Sequence, residues 1–201
     1  VMTPADTPRL LSGLRIYAER DVVIRTTHGD ITMAMRPDQA PQTVWNFLEL
    51  AGGGFYRDVI FHRIIPVSRD GDPFVIQAGD PTATGEGGPG YWLPIEPSRL
   101  AHDFGVMSMA RGPDPDSGGS QIFICLSRAG TARLDGQYCA FAYAIDGAET
   151  IMSIAAVELA DVGAGRPVDP PRINGMELVA APPRIAGVGR PDERVAAPRV
   201  A

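Results

Sequence analysis

The chain of 201 residues contains no lysine: all 18 basic residues are arginine. That absence excludes a lysine Schiff base and the phosphate-binding lysine of a P-loop. Cysteine is scarce, with only Cys125 and Cys139, each in an apolar run. Two such residues make neither a disulfide framework nor a metal-ligating set, so buried free thiols are expected. The three histidines, His28, His62 and His102, lack ligand spacing, and no metal or cofactor is expected. Positive charge is in deficit, with a net charge of −6, which argues against a nucleic-acid partner. No apolar run approaches the ~18 residues of a membrane span. The first 20 residues mix acids, arginines and prolines without the apolar stretch of a signal peptide. A bacterial protein of the cytoplasm is therefore expected, or of the periplasm if a leader has been removed.

What the chain has in quantity is turn formers, 23 glycines and 19 prolines. Short apolar runs alternate with them. Residues 21–27 (DVVIRTT) and 31–35 (ITMAM) read as a hairpin around His28-Gly29-Asp30. Residues 60–65, 74–78, 105–110, 121–126, 138–145 and 172–179 read as further strands. Residues 38–52 read as a helix, with Pro41 in its first turn and a Gly52-Gly53-Gly54 stop. A second helix is expected over 148–156. The pattern gives a mostly-β domain over 21–180, an N-terminal extension over 1–20 and a Pro/Arg/Ala-rich tail over 181–201. Leu10, Leu11, Leu14 and Ile16 of the extension could dock on the domain, and the tail is expected to be loose. Periodicity carries the reading no further.

Three ordered blocks do. Residues 61–66 (FHRIIP) are followed by 74–81 (FVIQAGDP), then by 107–111 (MSMAR) with 118–125 (GGSQIFIC), then by Leu134-Asp135-Gly136 with Phe141. In order and spacing they resemble the signature of the cyclophilin-type peptidyl-prolyl cis–trans isomerases. Gly29-Asp30-Ile31, residues 40–47 (APQTVWNF) and Phe55-Tyr56 are similar to the family's flanking segments. The resemblance implies an eight-stranded antiparallel barrel capped by two helices. It also implies a rotamase, assisting protein folding, that acts on X–Pro bonds without cofactor or metal. Proline-containing peptides and unfolded segments would be its partners, and a monomer is expected.

The chemistry explains what such a site needs. Rotation about an X–Pro amide crosses a barrier of about 20 kcal/mol, because nitrogen conjugates with the carbonyl. No bond is made or broken, so no nucleophile is required. In the twisted state the nitrogen regains a lone pair, and a fixed donor beside it favours that state over the planar one. The resemblance implies that Arg63 is this donor, with a guanidinium that is always charged. It implies that Phe74, Phe123 and Leu134 receive the proline ring, beside Val75, and that Gln77 holds substrate backbone and steadies the arginine. Ala110, Arg111, Gln121 and Tyr138 fall at positions that line the pocket, Arg111 where the family often has asparagine and Tyr138 where it often has histidine.

Departures from the family pattern mark what is specific to this chain. Residues 67–73 (VSRDGDP) stand where the family has about one residue, near the expected pocket rim. Arg133 stands where many members have the tryptophan that supports cyclosporin, so the drug is expected to bind weakly. The main alternative function is a proline-peptide binding or chaperone module with little catalysis. Two other patterns carry little. Residues 85–90 (GEGGPG) satisfy G-x-G-x-x-G, but Pro89 and Pro94 block the helix that dinucleotide binding requires. No Ser/His/Asp arrangement is suggested, and His62 is expected to be packed or hydrogen-bonded.

Overall fold

In a computed structural model, which describes residues 20–182 and 193–198, the expected first hairpin is present. Its strands are β1 (Arg20–Thr26) and β2 (Gly29–Met35). Val22 pairs with Met33 and Ile24 with Ile31, and all four side chains are buried. This is the period-two alternation read from the sequence. Leu10, Leu11, Leu14 and Ile16 lie outside the described residues.

The remaining strands are β3 (Val59–Ile60), β4 (Arg63–Val67), β5 (Pro73–Ala78), β6 (Val106–Met109), β7 (Ile122–Cys125), β8 (Ala140–Asp146), β9 (Leu159–Asp161), β10 (Arg166–Pro167) and β11 (Arg172–Ala180). Among the described residues nine of the eleven strands form one antiparallel sheet in the order β3-β11-β1-β2-β8-β6-β7-β5-β4. Its two edge strands, β3 and β4, are separated in sequence only by Phe61 and His62. Three Cα steps reach at most about 11 Å, so the sheet must curl until its edges meet. This is the expected barrel. The ninth strand appears because residues 60–65, read as one strand, cross the seam. Ile60 pairs with Arg172 of β11, whereas Arg63 pairs with Gln77 of β5. At the crossing Phe61 turns into the core, 1% exposed, and its N–H donates to the Pro171 carbonyl. The β9–β10 ribbon covers the β4 edge, where the Ile64 N–H donates to the Gly165 carbonyl at 2.7 Å.

Among the described residues three α-helices pack on this sheet, one more than expected. In α1 (Pro41–Gly52), Val44, Phe47, Leu48 and Ala51 form the buried stripe, and Phe47 meets Tyr56 and Phe141 at 5.3 Å each. Ala40, at the N-cap, has no side chain to offer. The Glu96 carboxylate caps instead from a distant loop, accepting from the N–H groups of Gln42 and Thr43 and from the Thr43 hydroxyl. The second expected helix is α3 (Ala148–Ala155). The extra one, α2 (Arg128–Thr131), is a single turn running into a 3-10 turn over Ala132–Leu134. Ser127 caps it by accepting from the Gly130 N–H. Gly130 is required there, since a Cβ would lie 2.1 Å from the Pro73 carbonyl oxygen.

The tail is not loose where it is described. The Val195 N–H donates to the Ala144 carbonyl at 3.0 Å, and its side chain packs on the core. Cys125 and Cys139 are buried free thiols, and burial pushes Cys139 up to about 11. Among the described residues no helix is long and apolar enough to cross a membrane.

Candidate active site

Strand register builds the site. Arg63 pairs with Gln77, Gln77 with Phe123, and Phe123 with Ser108, a row across β4, β5, β7 and β6. Side chains in one row share a face. Their neighbours Ile64, Ile76, Ile122 and Ile124 point into the barrel core. The row therefore faces outward, where Val75, Phe123, Cys125 and Leu134 join a second apolar cluster.

There a cavity of about 190 Å³ is lined by Arg63, Phe74, Val75, Gln77, Ala110, Arg111, Phe123, Leu134 and Tyr138. The structure thus gathers nine of the eleven residues singled out in the sequence. Gln121 lies one layer out, and Arg133 packs on the outside of the pocket wall. Arg63 Nη1 donates to Gln77 Oε1 at 3.1 Å, Gln77 Nε2 to Gln121 Oε1 at 2.9 Å, and Gln121 Nε2 to the carbonyls of Gly85 and Gly87 at 2.9 Å each. Each amide accepts with oxygen and donates with nitrogen, so the relay fixes both orientations.

The glycine-rich loop at the end of this relay is held by Asp80, a residue the sequence reading passed over. Its carboxylate accepts from the N–H groups of Thr82, Gly85 and Gly87 and from the Thr82 and Thr84 hydroxyls. Burial alone would raise its pKa, but these bonds bring it down to about 2. No helix follows the loop, as Pro89 and Pro94 require.

Beneath the pocket lies a Ser–His–Asp arrangement that the sequence does not suggest. His102 stacks on Phe123, with centroids 5.9 Å apart and planes within 16°. Its Nδ1 is 3.0 Å from Asp135 Oδ1, and its Nε2 is 3.0 Å from Ser108 Oγ. The carboxylate can only accept, so Nδ1 carries the proton and Nε2 accepts from the serine hydroxyl. Burial lowers the His102 pKa more than Asp135 raises it, so the ring is neutral. Arg128, 2.6 Å from Asp135, holds that carboxyl near 2. Ser108 is 0% exposed and His102 1%, so no substrate reaches either. The Ser–His–Asp chain is a prop behind Phe123, not a nucleophilic triad. Tyr138 meets the same ring edge-on at 5.6 Å.

Two arginines shape the rim. Arg133 lies 4.6 Å over the Phe74 ring and pairs with Asp70 at 3.4 Å. Residues 67–73 thus reach Arg133, beside the pocket wall, through Asp70. They form a tight turn between β4 and β5, with the Ser68 N–H donating to the Asp72 carbonyl. Arg111 lies 4.6 Å over the Tyr138 ring and donates to the carbonyls of Gln137 and Gly112. It also lines a neighbouring cavity of about 770 Å³, between the glycine-rich loop and residues 112–121. His62 is half-buried, and its ring nitrogens are buried without a well-formed hydrogen bond. Among the described residues no three His, Cys, Asp or Glu side chains converge as metal ligands.

A family model for cyclophilin type peptidyl-prolyl cis-trans isomerase/CLD matches residues 21–178. A Cryptococcus neoformans peptidyl-prolyl cis-trans isomerase-like 2 is 38% identical over 168 residues, 79% of this chain but 27% of that protein. The chain thus spans about a quarter of that relative's length. Peptidyl-prolyl cis-trans isomerase 10 of Caenorhabditis elegans is 39% identical, over 69% of this chain and 83% of its own. The crystal structure of a Cryptosporidium parvum cyclophilin type peptidyl-prolyl cis-trans isomerase superposes with a TM-score of 0.72 at 33% identity, covering 82% of this chain and 99% of that one. A second structure of that protein, in the presence of the dipeptide Ala-Pro, gives 0.69 at 34% identity, over 78% of this chain and 96% of that one. These relatives are eukaryotic, and the bacterial source expected from the arginine-only composition finds no support in them.

Proposed function

The chain belongs to the cyclophilin-type peptidyl-prolyl cis–trans isomerase family, and from that premise we propose that it rotates X–Pro bonds in peptides and unfolded protein segments. The observation that carries this reading is the Arg63 guanidinium, tied by Gln77 at the mouth of an aromatic pocket. Phe74, Phe123 and Leu134 grip the proline ring by apolar contact. Arg63 donates to the prolyl carbonyl and, as the amide twists, to the nitrogen that regains its lone pair. It thereby stabilises the transition state more than the ground state. Gln77 holds both Arg63 and the substrate backbone, and the Gln121 relay prevents its amide from flipping. Ala110, Arg111 and Tyr138 line the approach, with Val75 packed in the pocket wall. Arg133 stands where many family members carry the tryptophan that supports cyclosporin, so the drug binds weakly.

The test is isomerisation of an Ala-Pro tetrapeptide by the purified protein and by its Arg63→Ala variant. Acceleration by the wild type is expected to fall at least about a hundredfold in the variant, the scale of losing one preorganised donor to the reacting group. Peptide binding without acceleration by the wild type would instead establish a binding or chaperone module. The specific feature favouring that alternative is the 67–73 loop, which reaches the pocket wall through Asp70 and Arg133.

A further inference from the structure

Three guanidinium groups surround the proline pocket of a chain whose net charge is −6. Arg63 and Arg111 line it, and Arg133 lies over its Phe74 wall. Within ion-pair distance their charges are poorly balanced, while Glu86 and Asp114 line the larger cavity that Arg111 shares. Arg63 and Arg111 donate to neutral oxygens, those of Gln77, Gln137 and Gly112, and among the described residues neither forms an ion pair. Arg133 has Asp70 at 3.4 Å, but the aspartate side chain is 77% exposed, a geometry in which an ion pair contributes little.

Arg111 is also held still. Three of its N–H groups bond to backbone carbonyls, and the plane of the group lies over Tyr138. An arginine has about five N–H groups, so two remain for a ligand. Because the side chain is already ordered, binding costs little further entropy. Its place matters as much. Gln77, Ala110 and Arg111 are shared by the proline pocket and the larger cavity beside it. With Arg63 on the prolyl carbonyl, the chain after proline leaves on the Arg63 side. The chain before proline would then cross Ala110 and Arg111, which the two cavities share.

Resting on the isomerase reading, we propose that Arg111 makes the site selective for proline preceded by an acidic residue, Asp or Glu. The carboxylate takes the two remaining N–H groups in a planar, charge-assisted contact. Arg133 adds positive potential at the same mouth, and a lysine before proline is disfavoured by both.

The test compares matched tetrapeptides with Glu, Ala or Lys before proline, in low salt. The wild type is expected to show kcat/KM about three- to tenfold higher for Glu than for Lys, the scale of one partly exposed charged contact. In Arg111→Gln the Glu-to-Lys ratio is expected to fall to about one, whatever the absolute rate, and Arg111→Lys to restore part of it. Equal kcat/KM for the three peptides in the wild type overturns the selectivity and leaves the isomerase reading intact. If none is isomerised, the isomerase reading fails, and the Kd values of the same peptides decide. Tighter binding of the Glu peptide that is lost in Arg111→Gln supports the selectivity, and equal Kd values overturn it.

Discussion

Gln121 stands between the catalytic row and the glycine-rich loop, its oxygen accepting from Gln77 at 2.9 Å while its nitrogen donates to two carbonyls of that loop. It does not line the proline pocket and has no hydrogen bond to Arg63, so its effect on the reaction is expected to pass through Gln77. Replacing it by glutamate removes the donor side and turns the second oxygen on the carbonyls of Gly85 and Gly87. Gln121→Glu is expected to lower kcat about tenfold with a smaller change in KM, the scale of one or two lost hydrogen bonds. Peptide isomerisation resolved into kcat and KM checks this, and a pure KM effect would assign Gln121 to substrate binding instead.

The contact of Arg133 with Phe74 leads to a prediction about inhibition. Cyclosporin is expected to bind the wild type at least tenfold more weakly than Arg133→Trp, which restores the residue that many family members carry there. Calorimetric titration of the two proteins measures the difference. Equal affinity would remove Arg133 as the reason and point to the 67–73 loop.

Stability should fall in two stages as the solution is acidified. Burial lowers the pKa of both His102 and His62. In the unfolded chain a histidine takes up its proton near about pH 6.5. Below that pH the unfolded state binds protons that the folded state does not, so stability is complete above it and declines beneath it. The second stage belongs to Asp38, Asp80 and Asp135, held near 2 from an ordinary 3.8. Arg36 lowers Asp38 and Arg128 lowers Asp135, whereas for Asp80 the bonds from its loop overcome the opposing effect of burial. Their contribution is present above about pH 4 and is lost as pH falls towards 2. The urea midpoint should therefore be lower at pH 5.5 than at pH 7.5, by less in His102→Gln than in the wild type. Identical midpoints at the two pH values would contradict the buried neutral histidines.

The site was legible where it sits in contiguous blocks. Residues 61–66, 74–81 and 118–125 carry Arg63, Phe74, Gln77, Gln121 and Phe123, and the resemblance placed each beside the pocket that the strands build. What escaped depends on partners remote in sequence. Nothing local in residues 60–65 tells that Ile60 will pair with β11 and Arg63 with β5. His102 and Asp135 are 33 positions apart, and their bond forms only because α2 brings Asp135 back under the pocket. That helix is a single turn containing glycine, too short to leave a periodic trace, and only the Ser127 cap announces it. Asp80 looked like the end of a motif, yet its carboxylate organises the loop that follows.

The seam of the barrel bears on the company this protein would keep. Strand edges are templates on which other chains can grow a sheet, and unfolded clients are rich in segments able to do so. Here one edge strand, β3, is only two residues long, and the other, β4, is covered at the Ile64–Gly165 contact. In the proposed role a client would thus be held by its proline and a few neighbours, with little backbone ladder to extend the grip. Visits would be brief, and the enzyme would be protected from co-aggregating with the chains it serves.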